Sequence, residues 1–171
     1  GIAQRDGRRH GIEGIEKGKP FALEQQGTAV FARDCAFFPV TGVVVNKGEI
    51  QLENLDSVFH NPHAHERIGK VRRSLFNKPL ISEAGKIYER VMMRKGRVME
   101  LECDQHNFMQ SEFLEVKNPY YAVTGDDGRF VIDHVPSGRY KVIVWHPKLG
   151  TVEKEVDIKG ETTVDLEFYS E

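Results

Sequence analysis

Short runs of alternating or β-branched apolar residues recur along this chain, and long helical periodicity is absent. Strands are predicted over Thr28–Phe31, Val40–Val45, Glu49–Leu52, Lys86–Met93, Arg97–Cys103 and Met109–Val116. A second series follows over Tyr120–Thr124, Arg129–Ile132, Arg139–Trp145, Val152–Ile158 and Thr162–Phe168. Turn signals separate these later runs: Gly-Asp-Asp-Gly at 125–128, Pro-Ser-Gly at 136–138, Pro-Lys-Leu-Gly at 147–150 and Lys-Gly at 159–160. Many short strands with regular turns predict an all-β chain of sandwich or barrel type. The pattern is weakest over 63–85, where a short helix or an irregular insertion is expected. Pro119 cannot donate to a ladder, so Lys117-Asn118-Pro119 is the predicted joint between two β-modules.

Length and charge narrow the class. At 171 residues the chain fits one large or two small domains. A net charge of −2 gives no electrostatic reason to expect nucleic-acid binding. The charges are uneven: Lys70, Arg72, Arg73, Lys78, Arg90, Arg94, Lys95 and Arg97 make the middle basic, and 153–171 lean acidic. A basic stretch of this kind is ordinarily a solvated face, and its sharper reading is a docking surface for an acidic redox partner. No apolar run approaches the roughly 20 residues of a membrane-crossing helix, so no transmembrane segment is expected. The opening Gly-Ile-Ala-Gln-Arg-Asp-Gly-Arg-Arg reads as a mature end after processing, or as a chain whose start precedes Gly1. Cys35 and Cys103 are the two cysteines, too few for a disulfide framework, although a single bridge between them would remove Cys103 from other chemistry.

The densest chemistry lies in Cys103-Asp104-Gln105-His106-Asn107-Phe108-Met109. It puts a thiolate, an imidazole and a thioether on one short loop, each three positions after the last. Copper in an electron-transfer site takes one Cys, two His in a trigonal arrangement and a weak axial Met, so the loop offers three of four. The second imidazole is expected upstream in Asn54-Leu-Asp-Ser-Val-Phe-His-Asn-Pro-His-Ala-His65. His60 is preferred, with His63 the alternative. Asn61, directly after His60, has a side-chain amide that can reach the Cys103 loop and fix the two segments together.

This constellation resembles the cupredoxins, the blue-copper electron carriers, and the Cys-x-x-His-x-x-Met loop is similar to that of amicyanin. The wider chain looks like a bacterial extracytoplasmic group that joins a plastocyanin-like domain to a carboxypeptidase-regulatory or transthyretin-like domain. The residues carrying this are Cys35-Ala-Phe-Phe-Pro39, Asn54 to His63, Leu75-Phe-Asn77, Cys103 to Met109 and Asn118-Pro-Tyr-Tyr-Ala-Val-Thr-Gly-Asp-Asp-Gly-Arg-Phe130. Val135-Pro-Ser-Gly-Arg-Tyr140 and Val144-Trp-His-Pro-Lys-Leu-Gly150 continue it. The resemblance implies one type 1 copper held by His60, Cys103, His106 and Met109. It implies a Greek-key cupredoxin domain over 21–117 and a small transthyretin-like sandwich over 118–171. Residues 1–20 are then a shortened opening segment pairing with the C-terminal sandwich, which makes the copper domain an insertion. The chain departs from the pattern at Val40, where relatives carry a histidine, and at the additional His65.

The implied function is extracytoplasmic, periplasmic one-electron transfer with a redox partner protein such as a cytochrome or oxidase, without substrate turnover. His106 is the expected electron port, with Phe108 and Pro62 as an apolar docking rim. The readings from other classes are a structural or assembly module, as a complex subunit or oligomer with a vestigial or stabilising metal site, and a copper carrier using His60, His63 and His65. Elsewhere the histidines are expected to be structural or exposed: His63 and His65 at the surface, His134 in an exposed turn, His146 packed or capping. Met92, Met93 and Met99 are expected as core or edge fillers, and Cys35 as a small buried hydrophobe. Phe130, Val135, Tyr140, Val142, Val144 and Leu166 are the expected core of the C-terminal module, whose exposed strand edges suit pairing with a partner.

Overall fold

The computed structural model describes residues 9–15, 18–22, 27–82 and 85–168. The expectations for residues 1–8 and the end of the acidic tail, 169–171, lie outside the described residues. Among the described residues every regular element is a strand. The chain divides into two compact units, Ala22–Glu115 and a second built from Gly1–Phe21 with Val116–Glu171.

The first unit holds β2 (Gly27–Arg33), β3 (Ala36–Phe38), β4 (Thr41–Val45), β5 (Glu49–Asn54), β6 (Pro62–Ile68), β7 (Val71–Asn77), β8 (Lys86–Arg90), β9 (Val98–Cys103) and β10 (Gln110–Val116). One sheet runs β4-β10-β9-β6-β7 and the other β3-β2-β5-β8. Their inner faces meet in one core: Val30, Phe37, Ile50 and Leu52 from one sheet, Ala64, Phe76, Met99, Leu101 and Phe113 from the other. Alternation does this sorting, because successive strand residues face opposite sides. Along β5, Ile50, Leu52 and Asn54 are buried in turn, and along β9, Met99, Leu101 and Cys103.

Residues 63–77 overturn the expectation of a helix or irregular insertion over 63–85. They contain most of β6 and all of β7, paired antiparallel from His63↔Asn77 to Ile68↔Val71, with Gly69 at φ 60 in the turn. Two features hid the strands. The register shifts between Ala64 and His65, and a charged residue, Glu66, occupies the inward position where an apolar one marks a strand.

Glu66 is fully buried, and the fold surrounds it with donors. Its carboxylate accepts the backbone N–H groups of Arg94, Lys95 and Gly96 and the guanidinium of Arg73. Burial pushes the carboxyl up, but the Lys95 and Gly96 amides, Arg73 and the Arg94 amide together outweigh it and hold Glu66 below its ordinary 4.5. Gly96 permits this approach, since a Cβ there would lie 2.3 Å from the Arg67 carbonyl oxygen and 2.5 Å from Glu66 Cγ.

In the second unit β1 (Arg9–Glu13), β11 (Tyr121–Val123), β12 (Gly138–His146) and β13 (Gly150–Ile158) form a sheet in the order β11-β1-β12-β13. Ile12, Tyr120 and Val142 centre its core, with Ile132, Val135, Tyr140 and Leu166 packed against them. The strands predicted at 129–132 and 162–168 are irregular. Val164, Leu166 and Phe168 still alternate with exposed neighbours, so side-chain burial produced the period without a ladder.

Glu66 sets a pH dependence with a definite sign. Its depressed folded pKa contributes stability above about pH 4.5, and that contribution is lost as pH falls through the folded value. Glu66→Gln is expected to lose about 3 kcal/mol in urea denaturation at pH 7. The gap to the native chain should narrow in acid; a gap that is absent, or independent of pH, contradicts this account.

Candidate metal centre

Cys103 is the last inward residue of β9, and it lies opposite Pro62 of β6. The loop beyond it closes through two successive tight turns. His106 N–H donates to the Cys103 carbonyl at 3.2 Å, and Met109 N–H donates to the His106 carbonyl at 2.9 Å. Cys103 N–H donates in turn to the Met109 carbonyl at 3.2 Å. The repeated spacing of three is therefore the spacing of i to i+3 hydrogen bonds, which bring Cys103, His106 and Met109 to one end of the unit. Met109 is buried in the core of this unit.

His60 approaches from the connection between β5 and β6. It exchanges backbone hydrogen bonds with Leu80, and its side chain is fully buried. Its Nδ1 lies 3.2 Å from His106 Nδ1 and 3.9 Å from Cys103 Sγ, and His106 Nδ1 lies 3.6 Å from the same sulfur. Asn61 supports the cluster three times: its N–H meets Cys103 Sγ at 3.3 Å, its carbonyl accepts Asp104 N–H at 3.0 Å, and its amide donates to Asp104 at 3.3 Å.

The donor set fits a first-row transition ion. A point equidistant from the three atoms lies about 2.1 Å from each, within the roughly 2.0–2.3 Å typical of imidazole nitrogen and thiolate sulfur on such a metal. One thiolate with two imidazoles in a triangle is the set copper takes in electron-transfer sites.

The far nitrogen of His60 is also engaged. Nε2 lies 2.8 Å from Asp56 Oδ2. Asp56 in turn accepts the N–H groups of Asp34 at 2.6 Å and Cys35 at 3.1 Å, the two residues of the tight β2–β3 turn. Both have positive φ, 53° and 52°, as a type I′ hairpin turn requires. Asn54 completes the arrangement, accepting Asp56 N–H and donating to the Val58 and Leu80 carbonyls. Burial pushes Asp56 up, but the bonds from His60 and from the Cys35 and Asp34 amides hold it below its ordinary 3.8. Sequence reasoning gave Asp56 no role; its position four before His60 was the available signal.

His63 and His65 face the other side of β6, beside Glu102. Their ligand atoms come within 4.8 Å of one another, but each already has a partner. His63 reaches Asp104 through Nδ1 and Ser74 through Nε2. The Arg72 guanidinium sits 3.0 Å from His65 Nδ1 and 2.9 Å from Glu102, where a cation would go. The same pairing answers the basic middle of the chain. Arg72 bonds Glu100 and Glu102, Arg67 bonds Glu100 and Glu112, and Lys78 bonds Glu89, so much of that charge is neutralised within the unit.

Cys35 and Cys103 are both free thiols, so no bridge competes for Cys103. Pro62 is buried opposite Cys103 rather than on the rim, because β6 turns it inward. Phe108 is 68% exposed, with its ring 5.8 Å from that of His106. His146 accepts the Lys148 and Leu149 N–H groups across the β12–β13 turn, and His134 is exposed at φ 58. Met93 and Met99 are core, whereas Met92 is exposed.

No family model and no curated protein match the chain. Among solved structures it is similar to a purple cupredoxin from Nitrosopumilus maritimus, at 16% identity and a TM-score of 0.41 over 52% of this chain and 99% of that one. It is also similar to a reduced single-site variant of amicyanin, at 15% identity and a TM-score of 0.42, over 63% of this chain and 98% of that one. A Cu(I) form of another amicyanin variant matches at 14% identity and a TM-score of 0.42, covering 63% of this chain and 98% of that one. No helix among the described residues is long and apolar enough to cross a membrane.

The thiols offer a direct check. Denatured, metal-free protein should titrate two thiols with a chromogenic disulfide reagent, and in the native chain Cys103, 2% exposed, should react far more slowly than Cys35. A denatured chain with no free thiol, or equal native rates, would contradict this geometry.

Proposed function

We propose that the Ala22–Glu115 unit is a cupredoxin domain that carries single electrons on one type 1 copper, which His60, Cys103 and His106 would hold together with Met109. The observation that carries this reading is the convergence of Cys103 Sγ and two imidazole Nδ1 atoms, 3.2 to 3.9 Å apart, at the buried end of β9. Bound copper would supply one-electron chemistry by cycling between Cu(I) and Cu(II).

The chain's own residues suit that task. Cys103 and His106 are fixed by the two turns of their loop, and His60 by its backbone exchange with Leu80, so the ligand set is preorganised. The N–H of Asn61 points at the sulfur and fixes its position. His60 is fully buried while His106 is partly exposed, which makes His106 the electron port. The exposed Phe108 ring beside it gives an apolar contact for the small interfaces of redox encounters. The partner is a redox protein such as a cytochrome or oxidase, met outside the cytoplasm, and the chain turns over no substrate of its own.

The second unit belongs to the same proposal as a carboxypeptidase-regulatory or transthyretin-like structural module. Among the described residues, both groups able to hold a metal lie in the first unit. That division of chemistry supports a supporting role for the β11-β1-β12-β13 sheet.

Copper(II) added to the reduced-thiol protein should produce an intense thiolate-to-copper absorption in the visible. Cys103→Ser should abolish it, and His106→Ala should weaken copper binding by tenfold or more. A colourless copper-loaded chain, or colour that survives Cys103→Ser, would remove this function.

A further inference from the structure

Asp56 makes no contact with the triangle of donor atoms, yet it decides which atom His60 presents to it. Its carboxylate presents acceptors to the N–H groups around it. It already takes two backbone N–H groups from the Asp34–Cys35 turn, so the atom facing it at 2.8 Å, His60 Nε2, must be the donor. In the neutral ring that leaves Nδ1 without a proton, and Nδ1 is the nitrogen that faces Cys103 and His106.

We infer that Asp56 is the positioning residue of this centre: it holds His60 as the Nε2–H tautomer with Nδ1 bare, and its charge biases the site towards the oxidised ion. A carboxylate on the remote N–H of a ligating imidazole raises the basicity of the other nitrogen and fixes the ring plane. A more basic nitrogen donates better to Cu(II) than to Cu(I), so the pair lowers the reduction potential. The chain supports this in an unusual way. Asp56 is gripped by two consecutive residues in the left-handed region, in a turn 22 and 21 positions upstream. Neither is glycine, so the turn holds a conformation that L side chains disfavour while aiming both amides at one carboxylate. Asn54, itself buried, fixes the Asp56 backbone from the other side. The tautomer stands on the metal-free chain alone, and the bias in potential rests on the copper reading above.

The test compares the full-length native chain with Asp56→Asn, which keeps the size of the side chain but removes the charge and one acceptor. In the metal-free native protein, nitrogen-15 NMR of the His60 ring should show the proton on Nε2, and Asp56→Asn should lose that exclusive preference. In the copper-loaded proteins, the ratio of the Cu(II) to the Cu(I) dissociation constant should rise about tenfold in Asp56→Asn. For a one-electron couple this is an increase of about 59 mV in potential. A residue with a merely structural role would shift unfolding without moving this ratio. A native ring protonated at Nδ1 overturns the positioning role even if Asp56→Asn does not fold. An unchanged ratio in a folded, loaded variant overturns the bias. A native chain that binds no copper at Cys103 sinks the proposed function together with the bias, while the tautomer still decides the positioning.

Discussion

A slip of β9 by one residue against β6 would turn Cys103 from the core face to the solvent face, and the same slip of β6 would instead bring His63 inward in place of Pro62. The antiparallel register that sets Pro62 opposite Cys103 is thus the constraint on which the candidate centre depends. Ala64 and Leu101, paired and buried on the inner face, hold that register from below. On the outer face Arg72 ties Glu100 and Glu102 of β9 to β7, and Arg67 ties β6 to Glu100. Glu66 adds a third restraint, since an inward carboxylate with five charged or amide donors tolerates no other position.

The two faces of β6 consequently carry different chemistry from adjacent residues. The inner end meets a thiol and two imidazoles where the first unit's core stops. The outer face spends its histidines on a network of ion pairs in which Arg72 stands in for a cation. Histidine content alone would rank 63–65 above His60. What separates them is that His63 already has Asp104 and Ser74 as partners and His65 has Arg72 and Glu102, whereas the inner nitrogens face only each other and a sulfur.

Much of this could be read from the chain, for identifiable reasons. The loop from Cys103 to Met109 was legible because its spacing is that of hydrogen-bonded turns, which local sequence determines. β2, β5 and β9 were legible because their inward positions are almost all apolar. β6 and β7 were not, since Glu66 sits inward, a bulge breaks the period and Val71 faces solvent. The segments 129–132 and 162–168 show the converse, a strand-like period with no partner strand to give it a ladder. Asp56 was hidden for a different reason. Its spacing from His60 is local, but its meaning depends on the Asp34–Cys35 turn, a contact with a segment far back in the chain.

X-ray absorption of the copper-loaded protein at the copper edge tests the central claim most directly. The account predicts a first shell of one short sulfur and two imidazole nitrogens, with the sulfur lost in Cys103→Ser. A shell of nitrogen and oxygen alone, or one unchanged by that substitution, would contradict it.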